Sequence, residues 1–399
     1  MKRLIVSLLI LFVVFSMGRR AEAQFSDKQL SQWLKRFPQA DTNRDGKLSV
    51  AEAQAFRKQL QSGRRSGGGT PKTFSVDAGW DEERFPDHAV CYRSPDEIAE
   101  LYAKLSGGRD TVVDYEKPSD GSLRIVGTGH SFMAPGYRTF PQIAKAAGLK
   151  QPPLLTHTGG GITGSARYKW EQENGIFQFD GKPQPKLLAS IANSKWDAMM
   201  WGPYYNDRAE YYSCWIDFCL KFNPDMKFYL SDAWPQLDQL DRVPQSEDEL
   251  TPELMVKLGK EKFDYYSQII EDLNKKYDDR IFVMPTCEAM VLCVEYLKEG
   301  KLPGIEGVHR AVGNKAKSLW RDRLGHLGPG LESLEGYVFY ATIYGRSPEL
   351  IEGDIFGQQA FPSRELDQRF REIAWKAVLR NPFSGVVDEN KNGIDDDRE

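Results

Sequence analysis

Asp41, Asn43 and Asp45 put side-chain oxygens at alternate positions, Gly46 follows at once, and Glu52 closes the stretch. Oxygen donors at positions 1, 3, 5, 7, 9 and 12 of a twelve-residue loop suit a hard divalent cation, calcium above all. Lys47 at position 7 needs only its backbone carbonyl. Ser49 at position 9 ligates directly or through water, and Glu52 supplies a bidentate carboxylate. Gly46 stands where the chain must turn sharply. A second chemistry lies further on. Ser131 follows Gly129-His130, and His326 lies four residues after Asp322. A serine hydroxyl becomes a nucleophile only with a base in hydrogen-bond reach. A histidine oriented by a carboxylate is such a base, and the chemistry is acyl transfer.

Each set needs elements to hold it. Leu30, Trp33, Leu34 and Phe37 recur at helical spacing before the first loop, with Ser26 or Asp27 as a cap. Ala53, Phe56 and Leu60 continue that spacing after it, so residues 24–61 read as a helix–loop–helix EF-hand module. A Gly/Ser-rich linker over 62–74 separates it from a larger region over 75–385. There, strands expected at 123–127, 154–156, 196–201, 227–230 and 280–284 alternate with helices expected at 140–149, 209–222, 250–277 and 289–298. Such alternation predicts an α/β fold with a doubly wound parallel sheet covered on both faces. Chemistry then gathers on the loops past the carboxyl ends of the strands. Those loops hold Gly127–Phe132, His157 with Gly159–Gly161, Gly202–Asp207, and Asp322–Leu327.

Gly129-His130-Ser131-Phe132 after the first strand resembles the nucleophile block of the SGNH (GDSL-type) hydrolase superfamily. The stretch from His326 to Tyr337, expected to open an amphipathic helix, is similar to its late catalytic-histidine block. The resemblance implies a flavodoxin-like, three-layer α/β/α domain and a serine esterase or deacetylase. It implies Ser131 as nucleophile and His326 as base. It also implies an oxyanion hole from the Ser131 N–H, a glycine N–H at Gly160 or a neighbour, and Asn206. Two departures stand out. The superfamily's acid sits three residues before the histidine, where this chain has Arg323; Asp322 is four before. On a helical turn Asp322 shares a face with His326; in an extended loop it points elsewhere, leaving a serine–histidine dyad. Gly202 and Asn206 are also further apart than the pattern has them. The same residues have plain structural uses: Ser131 and Asn206 as helix caps, Gly159–Gly161 as a turn, His326 as a structural histidine. No Lys-Ser/Thr follows Gly159–Gly161, which excludes a P-loop.

The last residues echo the first loop. Asp388, Asn390, Asn392, Gly393 and Glu399 repeat its positions 1, 3, 5, 6 and 12, so the acidic tail over 386–399 is a possible degenerate calcium loop. Asp395 stands at position 8, where such loops are apolar. At the other end, Lys2 and Arg3 precede an apolar run over 4–17, and Ala21-Glu22-Ala23 fits a cleavage site. This predicts a signal peptide over 1–23 and a secreted or periplasmic product with no stable membrane span. Removing Lys2, Arg3, Arg19 and Arg20 with Glu22 takes the formal charge from −4 to −7. A mildly acidic chain has no electrostatic footprint for nucleic acid. The cysteines, Cys91, Cys214, Cys219, Cys287 and Cys293, number five, lack metal-ligand spacing and read as small buried hydrophobes with at least one free thiol. His157 reads as structural, and His88 and His309 have no evident partners. Trp201, Tyr204, Tyr205 and Trp234 suit either a core or stacking on sugar rings. The expected function is ester hydrolysis on an extracellular, carbohydrate or small-molecule substrate, with Ca2+ as cofactor. The alternative is a non-catalytic, calcium-dependent glycan- or protein-binding module on the same fold.

Overall fold

The computed structural model describes residues 30, 34, 40, 45–50, 52–53, 112–159, 168, 187–202, 209–357 and 361–399. The expected leader and linker therefore lie outside the described residues. The chain divides into two compact units, Met1–Thr70 and Pro71–Glu399.

In the first unit, Leu30, Ala40, Leu48 and Ala53 are buried together with Leu34 against them. Gly46 has φ 78°, in the left-handed region that favours glycine. The Asp45 carboxylate accepts the Lys47 N–H at 2.8 Å. Ser49 and Glu52 form a reciprocal cap. Ser49 Oγ accepts the Glu52 N–H at 3.2 Å, and Glu52 Oε2 accepts the Ser49 N–H at 3.0 Å.

The second unit is built on β1 (Ile125–His130), β2 (Leu155–Gly159), β3 (Ala198–Trp201), β4 (Lys227–Ser231) and β5 (Ile281–Met284). All neighbours pair in parallel, in the order β2-β1-β3-β4-β5. This is the flavodoxin-like order, and its direction reverses between β1 and β3. Side chains alternate across the strands. Ile125, Ala198, Met200, Tyr229 and Met284 enter one core; Val126, Met199, Trp201, Phe228, Leu230 and Val283 enter the other. Both faces are buried, which is why the strands read as unbroken apolar runs.

On the first face lie α1 (Met133–Ala146), α5 (Thr286–Lys298), α7 (Glu332–Tyr344) and α8 (Arg364–Arg380). On the second lie α2 (Leu187–Asn193), α3 (Ala209–Phe222) and the later turns of α4 (Pro252–Tyr277). The result is the three-layer α/β/α sandwich. A second sheet, β6 (Gly307–His309) beside β7 (Ser318–Trp320) with the short α6 (Arg310–Gly313) between them, lies outside the main sheet.

Several boundaries moved from expectation. β1 runs to His130, so Gly127–His130 belong to the strand, not the loop after it. β2 likewise runs on to Gly159 and includes His157. α1 begins at Met133 and carries Pro141 inside it, while Pro135 sits in its first turn, where no N–H is needed. α7 is not amphipathic: every residue from Ser333 to Ile343 is buried, because α1 covers one side and α8 another. No helix among the described residues is long and apolar enough to cross a membrane.

Candidate active site

β1 delivers Ser131 to the carboxyl edge of the sheet, at the β1/β3 reversal. Gly129 has φ 151°, and a Cβ there would meet the Gly202 carbonyl oxygen at 2.9 Å. The ends of β1 and β3 thus come close enough to exclude a side chain. Tyr137, from α1, locks them together: its hydroxyl lies 2.8 Å from the Thr128 carbonyl and 2.9 Å from that of Met200.

His326 arrives from the other direction, on a turn between β7 and α7. Trp320 pairs antiparallel with Leu327, and the Gly325 N–H donates to the Asp322 carbonyl at 3.0 Å. This β-turn is neither the helical turn nor the extended loop that the spacing offered. It folds Asp322 back on His326. Asp322 Oδ1 accepts the Leu324 N–H at 3.0 Å and the His326 N–H at 3.3 Å. Asp322 Oδ2 stands 2.9 Å from His326 Nδ1, and Ser131 Oγ stands 2.7 Å from His326 Nε2. Ser131, His326 and Asp322 are therefore in line, hydroxyl to imidazole to carboxylate. The His326 side chain is 17% exposed and that of Asp322 40%. Partial burial works to raise the Asp322 carboxyl, but hydrogen bonds from the His326 ring, its backbone and Leu324 outweigh it. The carboxyl is held below its ordinary range.

Three contacts that the spacing did not suggest join the halves. Phe132 stacks on Trp234 at 4.6 Å and meets the His326 ring edge-on at 5.4 Å. The Trp234 indole N–H donates to the Gly325 carbonyl at 2.7 Å. Trp234, just past β4, thus touches both the residue after Ser131 and the turn that carries His326. Its sequence signal was an aromatic at the carboxyl end of a strand. Behind the site, the helices that follow Ser131 and His326 cross closely. A Cβ on Gly136 of α1 would collide with the Phe339 ring, and one on Gly336 of α7 with Thr139 Oγ1. Buried Glu335 accepts the Gly136 N–H at 2.7 Å, and burial pushes its carboxyl well up.

The remaining expected residues are less collected. Gly160 and Asn206 lie outside the described residues, so the expected oxyanion donors other than the Ser131 N–H are not placed. Asp41 and Asn43 lie outside them too. His130 is half-buried, and its Nδ1 accepts the Phe132 N–H at 3.2 Å. His309 is buried, stacks on Trp320, and is pushed down to about 4 by burial, with Asp322 and Glu247 acting against that. Trp201 and Trp234 are core residues, Cys214 is buried, and Cys219, Cys287 and Cys293 are buried free thiols.

The tail is ordered against the end of α7. Asp395 N–H donates to the Gly345 carbonyl at 2.8 Å, and Ser347 N–H to that of Gly393 at 2.7 Å. Asp388 Oδ1 and Oδ2 accept the Asn392 and Gly393 N–H groups at 3.0 and 3.1 Å. The amides of Asn390 and Asn392 both donate to Glu399. Among the described residues, no group of three or more His, Cys, Asp or Glu is placed to hold a metal ion. A cavity of about 720 Å³ opens at the opposite, amino edge of the sheet beside Arg124, Asp197 and Lys227 and includes none of the three in-line residues.

No family model and no curated protein matches the chain. Among solved structures it is similar to a DUF4886 family protein from Bacteroides uniformis, at 10% identity and a TM-score of 0.45, over 65% of this chain and 95% of that one. It is also similar to a protein from Parabacteroides merdae described as a "putative GDSL-like lipase", at 12% identity and a TM-score of 0.32, over 57% of this chain and 97% of the other. The fold is a flavodoxin-like, three-layer α/β/α sandwich on its own sheet order and layers.

Proposed function

We propose that this chain is a serine ester hydrolase of SGNH type, exported, acting on an extracellular ester and carrying calcium outside its catalytic unit. The observation that carries the reading is the 2.7 Å approach of Ser131 Oγ to His326 Nε2 with Asp322 behind the ring. In this mechanism Ser131 Oγ bonds to the ester carbonyl carbon as its proton passes to His326 Nε2. Asp322 opposes the imidazolium charge that forms. His326 then returns the proton to the alcohol oxygen as the carbon–oxygen bond breaks. Water repeats the sequence on the acyl-enzyme and frees Ser131.

Support for calcium is local. Gly46 has the expected left-handed φ, and Ser49 and Glu52 already stand together. In the tail, Glu399 is engaged by two amides, which would have to present their oxygens instead for a cation to enter.

The test is Ser131→Ala. Hydrolysis of 4-nitrophenyl acetate should fall to the uncatalysed level, and labelling by a fluorophosphonate should vanish with it. A Ser131→Ala protein that keeps its esterase activity would sink the mechanism.

A further inference from the structure

The segment carrying the acid and base is cationic. Between Gly307 and Gly328 stand Arg310, Lys315, Lys317, Arg321 and Arg323 against a single acid, Asp322, in a chain of net charge −4. Two of these cations are engaged elsewhere: Lys315 pairs with Glu247 at 2.9 Å, and Lys317 lies over the Phe361 ring. Arg321 is placed differently. Its N–H donates to the His326 carbonyl at 2.9 Å beside the Trp320–Leu327 bridge. Residues so opposed in an antiparallel pair present their side chains to one face. Arg321 Nε stands 3.4 Å from Asp322 Oδ2, while its side chain remains 53% exposed.

That contact leaves most of the guanidinium open. An arginine has five N–H donors, and the recorded approach to the carboxylate is that of Nε. Asp322 meanwhile already accepts from the His326 ring and from two backbone N–H groups. The exposed edge of the guanidinium suits a planar or tetrahedral oxyanion. Arg323, also exposed, adds positive potential one residue beyond Asp322. His326 Nε2 faces the leaving oxygen, so the imidazole and its neighbours border the alcohol half of an ester rather than its acyl group.

We infer that the site selects esters whose alcohol portion carries an anionic group, a carboxylate or a sulfate, received by Arg321 with Arg323 beside it. The inference rests on the ester-hydrolase reading.

Three acetate esters test it: 4-acetoxybenzoate, its neutral methyl ester, and 4-acetoxyphenyl sulfate. Each kcat/KM is divided by that ester's own alkaline hydrolysis rate. At low salt the anionic-to-neutral ratio should exceed unity by about three- to tenfold, and should collapse towards unity in about 0.5 M NaCl. Arg321→Gln should lower the ratio by a similar factor, and Arg323→Gln, which leaves the contact with Asp322 intact, should lower it less. Whichever anion gains more identifies the group. If Arg321 only braces Asp322, its loss slows all three esters alike and the ratio stands, which overturns the inference. So does a wild-type ratio near unity at low salt. Failure to hydrolyse any of the three, or hydrolysis that survives Ser131→Ala, overturns the hydrolase reading itself and this substrate class with it.

Discussion

Asp322→Asn has the most pointed consequence, because the turn dictates which way an amide must face. Two backbone N–H groups, from Leu324 and His326, aim at Oδ1 of Asp322. An asparagine keeps its carbonyl oxygen there and turns its NH2 towards His326 Nδ1, at the 2.9 Å position that Oδ2 holds now. Nδ1, which also lies 3.0 Å from the Oδ1 position, then meets a donor at its nearer neighbour, which favours the ring proton on Nε2, facing Ser131 Oγ. The serine loses its base. Reversing the amide forfeits two hydrogen bonds of about 1 kcal/mol each, so the unproductive arrangement is favoured by about 2 kcal/mol. The carboxylate's attraction for the developing imidazolium is lost as well. A hydrogen bond to a charged group contributes roughly 1.5–3 kcal/mol, and the lower end applies because Asp322 is 40% exposed. Together these slow acylation by roughly 300-fold, between two and three orders of magnitude. The assays are kcat/KM on 4-nitrophenyl acetate and the rate of fluorophosphonate labelling, which should fall in parallel while circular dichroism stays that of the folded protein. Activity within about threefold of wild type would refute the argument and leave a serine–histidine pair working alone.

Other substitutions probe the supports. Trp234→Phe keeps the stack on Phe132 but removes the donor to Gly325; kcat/KM should fall about tenfold with a stability loss of about 1–2 kcal/mol, and an unchanged kcat/KM would deny the residue a positioning role. Asp232, buried past β4, accepts the Cys287 N–H at 2.8 Å, and burial pushes its carboxyl up to about 7. Between the ordinary carboxylate range and pH 7 the folded chain therefore holds a proton the unfolded chain has lost. That contribution is full below the window and fades as pH rises through about 7, by about 2–4 kcal/mol. Asp232→Asn should flatten this slope in denaturant unfolding, and an unchanged slope would show the carboxyl to be ionised throughout. For calcium, titration calorimetry should show binding that Glu52→Gln weakens at one site; a response that survives Glu52→Gln unaltered would place the ion elsewhere.

The sheet was legible because parallel strands buried on both faces read as apolar runs, and β3, β4 and β5 fell within two residues of expectation. Strand ends were less legible where glycine and histidine continue the ladder, as at Gly129-His130 and His157-Thr158-Gly159. The pair β6 and β7 escaped notice altogether: each strand has three residues, too few for a period-two pattern to show. α7 reads as a helix but not as one buried all round, since only the crossing at Gly136 and Gly336 brings α1 so near. Ser131 and His326 were visible as residue types on loops past strand ends, and the structure brings the two side chains together. What joins them, Phe132 against Trp234 and Trp234 against Gly325, is tertiary and leaves no spacing to find.

The placing of Asp322 four residues before His326 is a matter of turn geometry. A carboxylate reaches an imidazole across any loop that brings the two side chains to one face. Here a β-turn from Asp322 to Gly325 does so, and Gly325, with φ 85°, takes the left-handed position that completes it. A side chain at 325 would be strained in that conformation, and its Cβ would press on Gln236 Nε2 at 3.1 Å. The Gly325 carbonyl is also the one Trp234 holds. The same four residues therefore set the acid's reach, the imidazole's orientation and the turn's attachment to β4, so a longer acid–histidine spacing is compatible with a complete hydroxyl–imidazole–carboxylate line.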